Sequence, residues 1–291
     1  MTQELKVYPE PKAVLGEGPL WDPKQGRLSW VDAHAKKLFR LDPARGTAET
    51  VDLPHNPGSF ALRQDGGLLM AYRNRLALID PAAEERRVIP TPGIDFARER
   101  FNDGICDRRG RFWVGTMDPK LKEPVGSLFR LDPDLSLSKM ASGFICSNGI
   151  AFSPDDRIIY HTDTGAGCID AYDFDLATGS IANRRTLIRF GRDEGRPDGC
   201  TIDADGHLWV AAITAGKVVR VDPGGRVVDT IALPTMRPTS TMFGGPDLAT
   251  LFITSMQLGL SPDELAAQPH AGCLFAARLP VPGLAEPRFG G

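Results

Sequence analysis

The sequence predicts an all-β protein, a six-bladed β-propeller with four-stranded antiparallel blades, and three observations carry that expectation. A unit of roughly 40 to 50 residues recurs about six times along the 291-residue chain. Each unit alternates short apolar or aromatic runs with turns rich in Gly, Asp and Pro, which is hairpin chemistry. Long amphipathic helical patterns are missing.

The first unit runs from Gly18 to Pro43 around Gly26-Arg27-Leu28-Ser29-Trp30-Val31. The second spans Gly58 to Pro81 around Asp65-Gly66-Gly67-Leu68-Leu69, and the third Gly104 to Pro133 around Arg109-Gly110-Arg111-Phe112-Trp113-Val114. The fourth, Gly149 to Asp175, turns at Pro154-Asp155-Asp156-Arg157; the fifth, Gly199 to Pro223, turns at Asp205-Gly206-His207. The sixth is read from Gly244 to Leu279, with a turn at Pro246-Asp247 and an insertion whose Pro262 to Ala267 stretch suits a short helix. Leu5 to Leu15 is strand-like and precedes the first unit, so it is assigned to the outer strand of the last blade. That closure removes free sheet edges. Pro and Gly are scattered over turns with no linker tract, and a single domain over 1–291 is expected.

Acids and bases nearly balance at a formal net charge of -3, which offers no basic face for nucleic acid. Glu4, Lys6, Glu10 and Lys12 interrupt any signal-peptide apolar segment, and no run approaches the roughly 20 apolar residues of a membrane span. A cytoplasmic monomer without a membrane partner is the expectation. The cysteines Cys106, Cys146, Cys168, Cys200 and Cys273 are odd in number and lack C-x-x-C spacing, so they read as reduced, buried small hydrophobes.

Four motifs place a carboxylate or amide at a glycine: Glu17-Gly18-Pro19, Asn102-Asp103-Gly104, Ser147-Asn148-Gly149 and Pro197-Asp198-Gly199. Asp or Asn before Gly is ordinary turn chemistry, but here the motifs share one phase of the repeat. In a propeller, equivalent inner-strand positions become neighbours around one axis. Glu17, Asn148 and Asp198 then form an all-oxygen ligand set for one divalent metal cation, with Ca, Mg or Mn most natural and Zn or Fe(II) also able to take carboxylates. Asp65-Gly66 and Asp205-Gly206 have the same local signature in the mid-blade hairpin phase and are expected to be structural. Arg98 and Arg100 flank Asn102 at the channel mouth, and the one-residue spacing puts Arg100 and Asn102 on one strand face. Guanidinium forks suit carboxylates or vicinal hydroxyls. His161 is read as a blade residue and His207 as a solvated hairpin residue.

These residues resemble the senescence marker protein/gluconolactonase family of regucalcin-like sugar lactonases. The likeness runs from Leu15-Gly16-Glu17-Gly18-Pro19 through Arg100-Phe101-Asn102-Asp103-Gly104, Gly115-Thr116-Met117, Ser147-Asn148-Gly149, His161-Thr162-Asp163-Thr164 and Pro197-Asp198-Gly199 to Phe243-Gly244-Gly245-Pro246-Asp247. The resemblance implies a propeller with one catalytic cation on Glu17, Asn148 and Asp198, substrate contacts from Arg100 and Asn102, and Asp198 as general base. It also implies an acidic substrate contact a few positions after Gly-Thr-Met, where this chain has Lys120 in Asp118-Pro119-Lys120-Leu121-Lys122.

The reading is a metal-dependent hydrolase that opens a sugar-acid lactone. The cation polarises the lactone carbonyl, Asp198 takes a proton from water, and Arg100, Asn102 and Arg98 hold sugar hydroxyls. Two alternatives stay open: a phosphotriesterase or aryl esterase on the same metal site, and a non-enzymatic calcium-binding propeller.

Overall fold

A computed structural model describes residues 4–291 of the chain. They form six four-stranded antiparallel sheets arranged as blades around one channel, plus the short helix Pro262–Ala267. The innermost strands are Gly16–Asp22, Pro57–Leu62, Arg100–Cys106, Ser147–Phe152, Arg196–Ile202 and Pro238–Gly244, and each packs on the next around the ring.

Residue type changes with radius, which is why these strands form this ring. The second strands, such as Leu68–Tyr72 and Phe112–Met117, are buried on both faces because a blade lies between two others. Outermost strands are polar and exposed, as in Thr47–Asp52 and Glu85–Ile89. Large aromatics seal the seams between blades: Trp21 stacks on Phe252 at 6.0 Å across the first and sixth, and Trp113 meets Phe152 at 6.0 Å across the third and fourth. A buried aromatic of this size removes about 150–250 Å² from water, so these seams supply much of the ring's cohesion.

Leu5–Tyr8 pairs antiparallel with Leu274–Arg278 and becomes the outer strand of the sixth blade, so the N-terminal segment closes the circle as expected. One boundary differs. The sixth blade begins at Pro238, and Gly244 ends its inner strand instead of opening it. The Phe243-Gly244 pair resembles the opening of the other units, but Thr239 stands where those carry the site glycine.

Asp recurs at strand ends because its carboxylate accepts the amides of the turn that follows. Lys24 N–H donates to Asp22, Ala44 to Asp42, Ala177 to Asp175 and Gly224 to Asp222. Two further aspartates, Asp107 and Asp203, accept the Arg109 and Asp205 N–H groups of their turns in the same way and are also buried anchors. Asp107 accepts from the Trp113 indole at 2.9 Å and from Arg111 Nε at 2.6 Å, and Asp203 accepts from the Trp209 indole at 3.0 Å and from Arg220 Nε at 2.8 Å.

The C-terminal segment 280–291 crosses the ring on the rim that carries these mid-blade turns. Gly283 bridges Asp203 of the fifth blade, Phe289 bridges Arg63 of the second, and Gly290 N–H donates to Gly110 of the third. Pro287, between those anchors, lines the channel interior, so the segment stops the channel at that end. No helix among the described residues is long and apolar enough to cross a membrane.

Asp203→Ala leaves the Arg220 and Trp209 donors without their buried acceptor. We expect the unfolding free energy to fall by about 3–5 kcal/mol, read from the urea midpoint. An unchanged midpoint would mean that this anchor is decorative.

Candidate metal centre

Every inner strand breaks register near its first residues. The shifts fall between Glu17 and Leu20, Pro57 and Ser59, Phe101 and Gly104, Asn148 and Ile150, Pro197 and Cys200, and Pro238 and Ser240. A bulge leaves a residue outside the ladder and re-aims its side chain. Four of the bulges coincide with the four acid or amide motifs; the other two hold Gly58 and Thr239, which bring no charge.

The glycines of the motifs permit close approach of neighbouring strands. A Cβ on Gly149 would lie 2.4 Å from the Asp198 carbonyl oxygen, and one on Gly199 would lie 2.2 Å from Ser240 Oγ. With those atoms absent, Asn148 Nδ2 reaches Asp198 Oδ1 in a hydrogen bond between the fourth and fifth blades. Asn148 Nδ2 also donates to Thr164 Oγ1 at 3.2 Å.

Asn148 and Asp198 are buried, while Glu17, Arg100, Asn102 and Asp103 are half-buried in the channel wall. Burial raises the pKa of Glu17 well above the ordinary range, and the neighbouring charges of Asp198 and Asp103 raise it further; Arg100 opposes them. Asp198 is raised for the same first reason, with Asp103 adding to it. Burial takes Asp103 up to about 6, although the N–H groups of Gly104 and Gly149 donate to it. Three carboxylates therefore share a low-dielectric wall, and no Lys or Arg of the described residues forms a salt bridge with any of them. A hard cation fits this donor set: two mutually repelling carboxylates, with an amide that can present its oxygen between them.

Arg100 Nη1 donates to Asn102 Oδ1 at 3.0 Å, which puts the two on one face, and Asn102 Nδ2 donates to the Ser147 carbonyl at 3.1 Å. Arg98 lies apart from them: it is exposed and pairs with Glu123 at 3.2 Å. Lys120 is exposed, and Asp118 is occupied by the Lys120, Lys122 and Glu123 N–H groups of its own loop. His161 is fully buried, with Nε2 2.6 Å from Ser147 Oγ, and burial pushes its pKa down to about 3, so it is neutral packing beneath the site. The tightest trio of metal-type donors among the described residues, Asp203, Asp205 and His207, sits in the turn region of the opposite rim. Arg220 reaches both of its carboxylates, at 2.7 and 3.4 Å, so that group already carries a cation.

Three contributors escaped the sequence reading. Asp103 is inside a motif that was read for Asn102. Asp32 accepts from Val14 N–H at 2.6 Å and Leu15 N–H at 3.2 Å, fixing the segment that leads to Glu17. Asp163 does the same for Ile145 and Cys146, both at 3.0 Å, ahead of Asn148. Both aspartates end second strands, so aligning the units at that phase would have found them.

Residues 15–257 match the family described as the SMP-30/Gluconolactonase/LRE-like region. The chain is 41% identical over 292 aligned residues, all of both chains, to the 6-deoxy-6-sulfogluconolactonase of Pseudomonas putida. It is 38% identical over 284 residues, 95% of each chain, to regucalcin of Xenopus laevis. Among solved structures, the calcium-binding protein regucalcin of Agrobacterium tumefaciens superposes with a TM-score of 0.94 at 29% identity, over 99% of this chain and 98% of that one. With a ring of six bladed sheets, the motifs on its inner bulges and full-length likeness to these proteins, the chain belongs to the SMP-30/gluconolactonase family.

Proposed function

We propose that the chain hydrolyses a sugar-acid lactone to the free acid at one divalent cation held by Glu17, Asn148 and Asp198. The observation that supports this reading best is the group of repelling carboxylates in the channel wall with no salt bridge to a basic side chain among the described residues, with Arg100 and Asn102 paired beside it. Relatives named as gluconolactonase and 6-deoxy-6-sulfogluconolactonase support a six-carbon aldonolactone as the substrate class.

When bound, the cation supplies Lewis acidity toward a carbonyl oxygen. Arg100 and Asn102 donate to ring hydroxyls and orient the lactone, a polar wall that favours a small polyol over an alkyl chain. Asp198 stands on the bulge of the fifth blade beside Asn148, where its carboxylate serves as general base. Water adds to the carbonyl carbon and its proton passes to Asp198. The ring C–O bond then breaks, and the departing oxygen takes the proton from Asp198, leaving the hydroxy acid. Pro287 and its segment stop the far end of the channel, so substrate enters from the rim that carries Arg100.

Elemental analysis tests the ligand set. Glu17→Gln and Asp198→Asn are each expected to lose most of one bound equivalent, since each removes one of two ligand charges, whereas Asp205→Asn retains it. Undiminished metal in both site variants would refute the assignment.

Asp198→Asn also tests the base. Saturated with metal, it is expected to remain slower than the parent by about a hundredfold or more in kcat on an aldonolactone. Full recovery would reduce Asp198 to a ligand.

The raised carboxylates have a stability consequence with a definite sign. Their folded pKa values exceed the unfolded ones, so the stabilisation from protonation is present below the ordinary carboxylate range and lost as pH rises through the raised values. In chelator, the melting temperature of Glu17→Gln should therefore exceed that of the parent by a margin that widens from pH 5 to 8. A margin independent of pH would contradict the coupling.

A further inference from the structure

We propose that Arg73 joins Arg100 in an anion subsite beside the carboxylate group, so that the preferred lactone carries a fixed negative charge, such as a sulfonate, phosphate or carboxylate, away from its reacting carbonyl. This deepens the lactonase reading and rests on it.

Arg73 follows the second strand of the second blade, Leu68–Tyr72. Tyr72 pairs with Pro57 at the start of that blade's inner strand, so Arg73 emerges on the rim where the bulged motifs lie. Two backbone hydrogen bonds hold it there: Arg73 N–H donates to the Asn56 carbonyl at 2.9 Å, and the Arg73 carbonyl accepts from Phe101 N–H at 2.9 Å. The second bond joins the turn to the residue after Arg100, which brings the backbones of the two arginines together from adjacent blades.

Their nearness has an electrostatic signature. Burial pushes Arg100 down to about 10; Cys146 opposes it, the Arg73 charge adds a smaller push downward, and Glu17 acts upward. The charges of Glu17 and of Arg73 thus both act on Arg100, in opposite senses.

Neither guanidinium has a carboxylate partner among the described residues, although Arg75, two positions on, pairs with Glu85, and Arg98 pairs with Glu123. Arg73 Nε is buried with no acceptor among the described residues. A buried donor left unmatched next to a like charge is unfavourable, and an oxyanion relieves both penalties at once. The guanidinium fork presents paired donors in the geometry that sulfonate, phosphate and carboxylate oxygens accept. A neutral aldonolactone would satisfy Arg100 through a hydroxyl and leave Arg73 unmatched.

The test compares kcat/KM on glucono-1,5-lactone with that on its 6-sulfonated and 6-phosphorylated counterparts and on a glucarolactone, which bears a free carboxylate. The metal-loaded parent should favour at least one charged lactone by about tenfold or more, and the ranking of the three identifies the anion. Arg73→Ala should lower that value by about tenfold to a hundredfold, mainly through KM, while the neutral lactone stays within about threefold. Arg73→Lys should recover part of the loss, since it keeps the charge without the fork. Parity of charged and neutral lactones in the parent, or equal losses on both in Arg73→Ala, overturns the subsite and leaves the lactonase reading standing. If no lactone is opened, that reading falls, and calorimetry on the ring-opened acids decides the subsite without turnover. Tighter binding of the 6-sulfonated acid than of gluconate, abolished in Arg73→Ala, upholds it; equal binding by both proteins refutes it.

Discussion

Placement of Glu17 and Asp198 in one channel wall, with the charge of Asp103 acting on both, is the constraint around which the ring is organised. Each carboxylate loses hydration in the channel wall, and each is made less stable by the other acids there. Desolvating such an ion costs several kcal/mol even after the protein relaxes, so the arrangement persists only because something else holds the strands together. That role falls to the two-faced packing of the blades: aromatic seams such as Trp21 on Phe252 make separation of neighbouring sheets expensive. Closure of the sixth sheet by Leu5–Tyr8 then prevents the ring from opening to relieve the repulsion.

The chain has two populations of acids, and their environments separate their roles. Asp22, Asp42, Asp175 and Asp222 accept the N–H groups of the next turn, and Asp107 and Asp203 add a buried tryptophan and arginine. Their charge is satisfied locally, which makes them stabilising. Glu17 and Asp198 sit on bulges where no turn amides or basic side chains answer them to the same degree. Asp32 and Asp163 connect the two populations. Each satisfies its own turn and at the same time holds the segment that presents a site residue, Glu17 or Asn148.

The fold was legible because the repeat announces itself six times and hairpin turns have a narrow chemistry. The four motifs were legible because phase within the repeat decides whether an acid beside glycine faces the channel or a turn, and Asp205, in the hairpin phase, is indeed bound up with Arg220. Less was visible wherever geometry depends on contacts distant in sequence. The start of the sixth blade was displaced to Gly244 because its inner bulge carries Thr239 in place of glycine. The crossing of residues 280–291 lies outside the periodicity and is held by pairings with Asp203 and Arg63. Arg98 and Arg100 look equivalent in sequence, yet only the latter remains beside Asn102, since Glu123 captures the other.

Stopping one end of the channel divides the labour of the molecule. Chemistry common to the inner bulges faces a single open rim, and whatever distinguishes one lactone from another must be read by the loops on that rim. Those loops follow the second strands and the outer strands, where backbone hydrogen bonds fix position but side chains are free to differ. The turn at Arg73 illustrates this: its backbone is tied to Asn56 and Phe101, while its side-chain Nε has no hydrogen-bond partner among the described residues that exchange would cost. A ring of this kind can therefore hold its carboxylate group constant and change substrate by altering residues that contribute little to stability, because the energetic burden of the buried charges rests on the blade seams and not on the rim.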